Sequence, residues 1–219
     1  VSYFLESYTG GQTPNPCMIC NREIRWGLLF EHARAFGADY LATGHYARLR
    51  QAADGTFQLL RGLDDKKDQS YVLSGLTQDQ LAHTLWPLGK LTKPEVREYA
   101  RQLGMEVAER PDSQDLCFLG NLNYREFLNT YRPQAARPGP ILTMSGEEVG
   151  QHGGLPFYTI GQRKGLRIAA AEALYVIKKD PERNALIVGT EAEAGSFSLA
   201  AFPMNWIAGK PPASEFQAE

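Results

Sequence analysis

The hydrophobic rhythm of this chain changes once, and the change limits the architectures open to it. Up to about residue 120, apolar residues recur at helical spacing between capping signals; past about residues 120 to 135 they alternate in short runs broken by glycine and proline. In the first part, Thr13 or Asn15 is placed to cap a helix that Pro16 opens at its first position, with Ile24, Leu28, Leu29, Ala33 and Phe36 on a helical repeat until Gly37. ADYLATGHY (38–46) reads as a buried strand breaking into a loop, and ARLRQAADGTFQLLRG as a hairpin about Asp54-Gly55. Thr77 with Gln80 and Thr92 with Glu95 form capping boxes for two further helices, the second carrying Val96, Ala100 and Leu103 on one face. In the second part NYREFLNTY reads as a short helix, and ALYVIKKDPERNALIVG as two strands across a Pro-Glu-Arg-Asn turn. The chain is therefore α/β first and β afterwards.

Composition narrows the function classes. With 219 residues, 43% hydrophobic and 22% charged, the chain can bury one large core or two small ones. It has no apolar run of about 18 residues and no basic-then-apolar start, so neither a membrane span nor a signal peptide is indicated and the cytoplasm is the default. A net charge of −2 argues against a general nucleic-acid binder but leaves room for a local basic face. Three cysteines suit reduced thiols better than a disulfide framework. The chain opens on Val1, with SYFLESY reading as the inside of a helix, and ends on PPASEFQAE; a fragment of a longer protein is expected.

Cys17 and Cys20 stand i and i+3 at a helix start, where unpaired N–H groups and the helix dipole favour a thiolate. On residue types alone several readings stay open. The pair could join Cys117 and a histidine at zinc, although a second C-x-x-C is missing. It could be a redox pair, although prolines rather than a strand precede it. Three thiolates could also hold an iron–sulfur cluster. Cys117, in RPDSQDLCFLG, reads most simply as a small buried hydrophobe beside Phe118 and Leu119.

Six strings, in order, add something more specific: GQTPNPCMICNREIRW, DYLATGHYARL, KKDQSYVL, WPLGKLTKPEVRE, DSQDLCFLG and YTIGQRKGL. Together they resemble the tRNA-specific 2-thiouridylases, which replace the C2 oxygen of the anticodon wobble uridine with sulfur. The resemblance implies an ATP-pyrophosphatase-type, Rossmann-like α/β domain, then a small linking domain, then a β-barrel. Here these would be the back half of the first (1–120), the second (121–170) and the start of the third (171–219). The family's ATP loop, S-G-G-x-D-S, has no counterpart in these 219 residues, so the chain alone is expected to be incomplete for activity.

The resemblance also implies roles. Cys20 matches the nucleophilic cysteine and Cys117 the one that carries a persulfide, the two forming a transient disulfide after transfer. Cys17 stands where some relatives have aspartate, as an auxiliary group or a bystander. Asn15, Pro16 and Cys17 match the segment that touches the target base. Gly44 backs the ATP, and His45 touches tRNA. Lys67, Asp68 and Gln69 match a tRNA-contacting loop, each with a simpler reading as a solvated charge run. Arg163 and Lys164 form a basic patch suited to RNA phosphate. ATP with Mg²⁺, tRNA and a persulfide relay protein are the implied cofactor and partners, and a monomer is expected.

Overall fold

A computed structural model describes residues 1–110, 116–196 and 198–217. The chain forms two compact units, each drawing on two stretches of sequence. One unit is built from Val1–Pro16 and Ser113–Ala200, the other from Cys17–Asp112 and Ala201–Glu219.

The second of these begins with the cysteines. Helix α2 (Pro16–Ile19) opens on its proline, which lacks the N–H that a first-turn position would leave unsatisfied. It continues without a break through a π-helical stretch, Cys20–Leu29, into α3 (Phe30–Ala35). The i→i+5 bonding of the π stretch widens each turn. Its inward positions are Asn21, Trp26 and Phe30, five and then four residues apart. The apolar repeat groups Ile24, Leu28, Leu29 and Phe36 on one α-helical face, yet all four are exposed, Phe36 at 90%. The repeat is real but the helix does not follow it inward, because π winding carries the stripe onto Trp26.

Strand β1 (Leu41–Ala42) runs parallel to β4 (Thr84–Leu85), so the expected strand at 38–46 exists but is two residues long, and it is not buried as expected: Leu41 is half-buried and Ala42 exposed. Strands β2 (Ala47–Gln51) and β3 (Phe57–Arg61) make the expected hairpin. Asp54 accepts from the N–H and hydroxyl of Thr56, and Gly55 takes the left-handed backbone the turn needs (φ 87°). Helix α4 (Gln78–Ala82) has the predicted Thr77–Gln80 box, and α5 (Lys93–Gln102) has Glu95 accepting from the Thr92 N–H and hydroxyl. The core comprises Trp26, Phe30, Ala47, Val72, Leu73, Leu76, Leu81 and Trp86. The tail rejoins it at Asn205, whose amide donates to the carbonyls of Ser74 and Leu76.

The other unit is organised by a four-stranded sheet: β5 (Gly139–Thr143), β6 (Glu148–His152), β7 (Tyr175–Asp180) and β8 (Ala185–Gly189), in the order β6-β5-β8-β7. The expected pair around Pro-Glu-Arg-Asn is β7–β8, closed by Asn184 at φ 49°. Within this sheet, among the described residues, only β5 and β8 run parallel. Ile141, Val176, Leu186 and Val188 meet α1 (Ser2–Thr9) and α6 (Tyr124–Tyr131) in one apolar core. There Phe4 contacts Phe118 and Phe127 edge to face, with centroids 5.1 and 6.0 Å apart.

Candidate active site

The helix start presents Cys17 exposed and Cys20 half-buried, and among the described residues none of the three cysteines is in a disulfide. Directly behind Cys20, side chains fix the helix to its surroundings. Asn21, 3% exposed, donates its amide to the Val72 carbonyl at 3.1 Å and accepts from Arg25 Nη1 at 3.3 Å. The same Arg25 nitrogen lies 3.1 Å from His45 Nε2, and the other ring nitrogen, Nδ1, is 2.8 Å from Thr43 Oγ1. A guanidinium can only donate, so Nε2 is the acceptor and the proton belongs on Nδ1, shared with Thr43. Burial, with the Arg25 charge second, lowers the His45 pKa to about 4. His45 is therefore neutral at physiological pH.

One residue further along, Trp26 Nε1 donates to Thr84 Oγ1 at 2.7 Å; Thr84 donates to the Gln80 carbonyl, and the Gln80 amide returns to the Trp26 carbonyl at 2.8 Å. This closed ring of bonds ties the cysteine helix to β4. Since β4 pairs with β1, the turn Thr43-Gly44-His45 is held at the end of β1, the usual ligand crevice of an open α/β sheet. Gly44 is exposed, and a side chain there would meet only Leu88, at 3.5 Å.

Lys67, Asp68 and Gln69 form a loop whose Gln69 bonds to Tyr46, the residue after His45. Asp68 accepts from the backbone of Gly62 and Ser70 and from the Ser70 hydroxyl. Burial alone would raise its carboxyl, but these bonds outweigh it and hold the group below its usual range. Gln69 accepts from the Tyr46 N–H at 3.1 Å and donates its own N–H to the Tyr46 carbonyl. Asp68 and Gln69 thus shape the loop next to His45.

The remaining expected residues belong to the sheet unit. Cys117 is exposed, which overturns its reading as a small buried hydrophobe; Leu119, two residues on, fills the core position. The Asp-Ser-Gln-Asp run before it, at 112–115, lies outside the described residues. Arg163 and Lys164 are exposed between Gly161 and Gly165, both at φ 82°, and Arg163 lines an open cleft of about 350 Å³ with Arg167. Asn15 and Pro16 are half-buried at the helix start. Among the described residues no group of three or more His, Cys, Asp or Glu side chains is placed to hold a metal ion. Sequence reasoning does not reach Asn21, Arg25 and Thr43. The only available signal is Asn21 and Arg25, an i, i+4 polar pair directly after the second cysteine.

The glycine turn at the end of β1, the thiols at a helix start and the separate strand-built unit define a two-part class. The family model for the tRNA methyl transferase HUP domain matches residues 1–121, and that for the tRNA methyl transferase PRC-barrel domain matches residues 125–190. The chain belongs to the tRNA-specific 2-thiouridylase family. It is 47% identical to the tRNA-specific 2-thiouridylase MnmA of Roseiflexus castenholzii, over 99% of this chain and 62% of that protein. Identity to the Moorella thermoacetica MnmA is 50%, over 94% of this chain and 58% of that protein. To the Chloroflexus aurantiacus MnmA it is 46%, over 99% and 60%. The chain thus spans about three fifths of the length of these relatives. No helix among the described residues is long and apolar enough to cross a membrane.

Proposed function

We propose that the chain is the thiol-bearing part of an ATP-dependent tRNA uridine 2-sulfurtransferase acting in the cytoplasm as a monomer. The observation that carries this reading is Cys20, half-buried at a helix start and backed by the Asn21–Arg25–His45 bonds, in a chain 46–50% identical to 2-thiouridylases. Replacing the C2 oxygen of uridine requires a better leaving group, which adenylation by ATP supplies. Cys117 accepts sulfane sulfur from a relay protein as a persulfide; its exposure suits that encounter. The Cys20 thiolate attacks the Cys117 sulfur, forming the Cys20–Cys117 disulfide and expelling sulfide, which takes the electron pair of the broken S–S bond. Sulfide adds at C2, and AMP departs with the original oxygen. A thiol reductant then returns two electrons to the disulfide.

Gly44, exposed at the end of β1, offers bare backbone for the nucleotide to lie against. Asn15, Pro16 and Cys17 face the target base in this reading, with Lys67 and its ordered loop on the tRNA. Arg163 and Lys164 meet RNA phosphate. Among the described residues no carboxylate cluster is placed to hold Mg²⁺. By the same resemblance, residues 1–120 complete the catalytic domain, 121–170 link it, and 171–219 begin the barrel. The test is 2-thiouridine formation in unmodified tRNA by the full-length parent, with ATP and a persulfide donor. Cys20→Ser and Cys117→Ser should each abolish turnover; sustained thiolation by either variant contradicts the assigned roles.

A further inference from the structure

The β2–β3 hairpin carries a basic face that the bonds described above do not use. Leu49, Phe57 and Leu59 pack toward the core, so the alternate positions Arg48, Arg50, Gln58 and Leu60 share the outer face. Arg48 and Arg50 are cross-strand neighbours of Leu60 and Gln58. Each guanidinium is steadied through Nε: Arg48 donates to the Arg61 carbonyl at 2.7 Å, Arg50 to Gln58 Oε1 at 2.9 Å. Among the described residues the Nη donors of both make no hydrogen bond, and neither arginine is in an ion pair, whereas Arg61, on the opposite face, meets Asp65 and Asp68. The turn Pro87–Lys90 lies against the same strand: a Cβ on Gly89 would collide with the Ala47 carbonyl and come within 3.2 Å of Arg48 Cγ. Only glycine permits that approach, and it brings the exposed Lys90 to the neighbourhood of Arg48.

We propose that Arg48 and Arg50 form a phosphodiester-binding rail that holds an RNA strand leaving the active site, with Lys90 adding charge at its edge. The inference rests on the proposed tRNA substrate. Residues i and i+2 of a strand stand about 6.7 Å apart, comparable to the step between successive phosphates of one nucleic-acid strand. A guanidinium fork matches a phosphate bidentately. The rail also begins where the site ends, since β2 starts two residues after His45. A tRNA is far larger than the pocket its target base enters, so its backbone must be held outside that pocket. In a chain of net charge −2, two arginines without ion pairs on one strand face, Arg48 half-buried and Arg50 exposed, are a focused attraction for a polyanion.

The test measures binding of unmodified tRNA to the full-length parent by fluorescence anisotropy between about 50 and 200 mM salt, where counterion release makes phosphate contacts visible. Arg48→Gln/Arg50→Gln should weaken binding about tenfold at the low-salt end and reduce the slope of log K against log salt by about 1.4, two phosphates at about 0.7 each. Arg48→Lys/Arg50→Lys, which keeps the charge, should recover most of that slope. Should the double glutamine variant not fold, Arg50→Gln alone, at an exposed position, should remove about half of the slope change. Wild-type affinity and slope in the glutamine variants would overturn the rail while leaving the proposed function standing. Failure of the unaltered parent to bind tRNA at all would overturn both. Cys20→Ser separates the two readings, because it should bind tRNA normally and transfer no sulfur.

Discussion

The two units are held together in different ways. In the unit carrying Cys20 the interior is stitched by directional bonds: Trp26 to Thr84, Gln80 to Trp26, Asn21 to Val72, Arg25 to His45. In the sheet unit the interior is mostly apolar contact, with Ile141, Leu186 and Val188 fully buried on adjacent strands and phenylalanine rings packed above them; buried His152, between the Asn184 carbonyl and the Gly154 N–H, is a polar exception. Apolar contact is strong but tolerates small shifts. Hydrogen bonds between buried groups fix position and orientation, and they lose more when only one partner is removed. The directional bonding lies next to Cys20 and gives it the fixed placement that its proposed role as the reacting thiol calls for.

That contrast can be broken or sharpened by substitution, and the largest effect should fall on the sheet unit. Leu186→Ala empties a fully buried position and should cost about 2–5 kcal/mol by urea unfolding. A cost below about 1 kcal/mol would mean that the apolar core is not what holds the sheet. The next effect is one of pH. The folded His45 titrates at about 4 against an ordinary 6.5, so between those values the unfolded chain binds the extra proton. Stability from this group is therefore full above pH 6.5 and is lost as pH falls toward 4, by up to about 3 kcal/mol in total. The difference in unfolding free energy between wild type and His45→Gln should shrink across that interval and stay constant above it; a flat difference throughout would mean that the ring is not held neutral. The smallest effect belongs to Trp26→Phe, which keeps the ring's burial but removes the donor to Thr84, at about 1 kcal/mol. A cost as large as that of Leu186→Ala would erase the distinction between the two units.

The same contrast decides what can be read from sequence. Period-two alternation and turn chemistry are local, so the β2–β3 hairpin about Asp54-Gly55, the β7–β8 pair and the Thr77 and Thr92 boxes are visible in the residues alone. The helix at Pro16 is equally legible, but its buried face is not. Its apolar repeat points to Ile24, Leu28, Leu29 and Phe36, all exposed, and no local signal announces the π winding that turns Asn21, Trp26 and Phe30 inward. The bonds that build the site join residues far apart in the chain, Trp26 to Thr84 across 58 positions and Asn21 to Val72 across 51. Single residues of these pairs look ordinary until the fold brings them together. The cysteines themselves are legible as chemistry, though the exposure of Cys117 reverses the simplest expectation for it.

The central claim is that Cys20 and Cys117, which belong to different compact units, act as one couple. The most direct measurement is a single turnover of persulfide-loaded parent enzyme with ATP and unmodified tRNA, without reductant, followed by peptide mapping under non-reducing conditions. The account predicts a Cys20–Cys117 linked peptide appearing in step with each 2-thiouridine formed. Thiolated tRNA accumulating while both thiols stay free would contradict it.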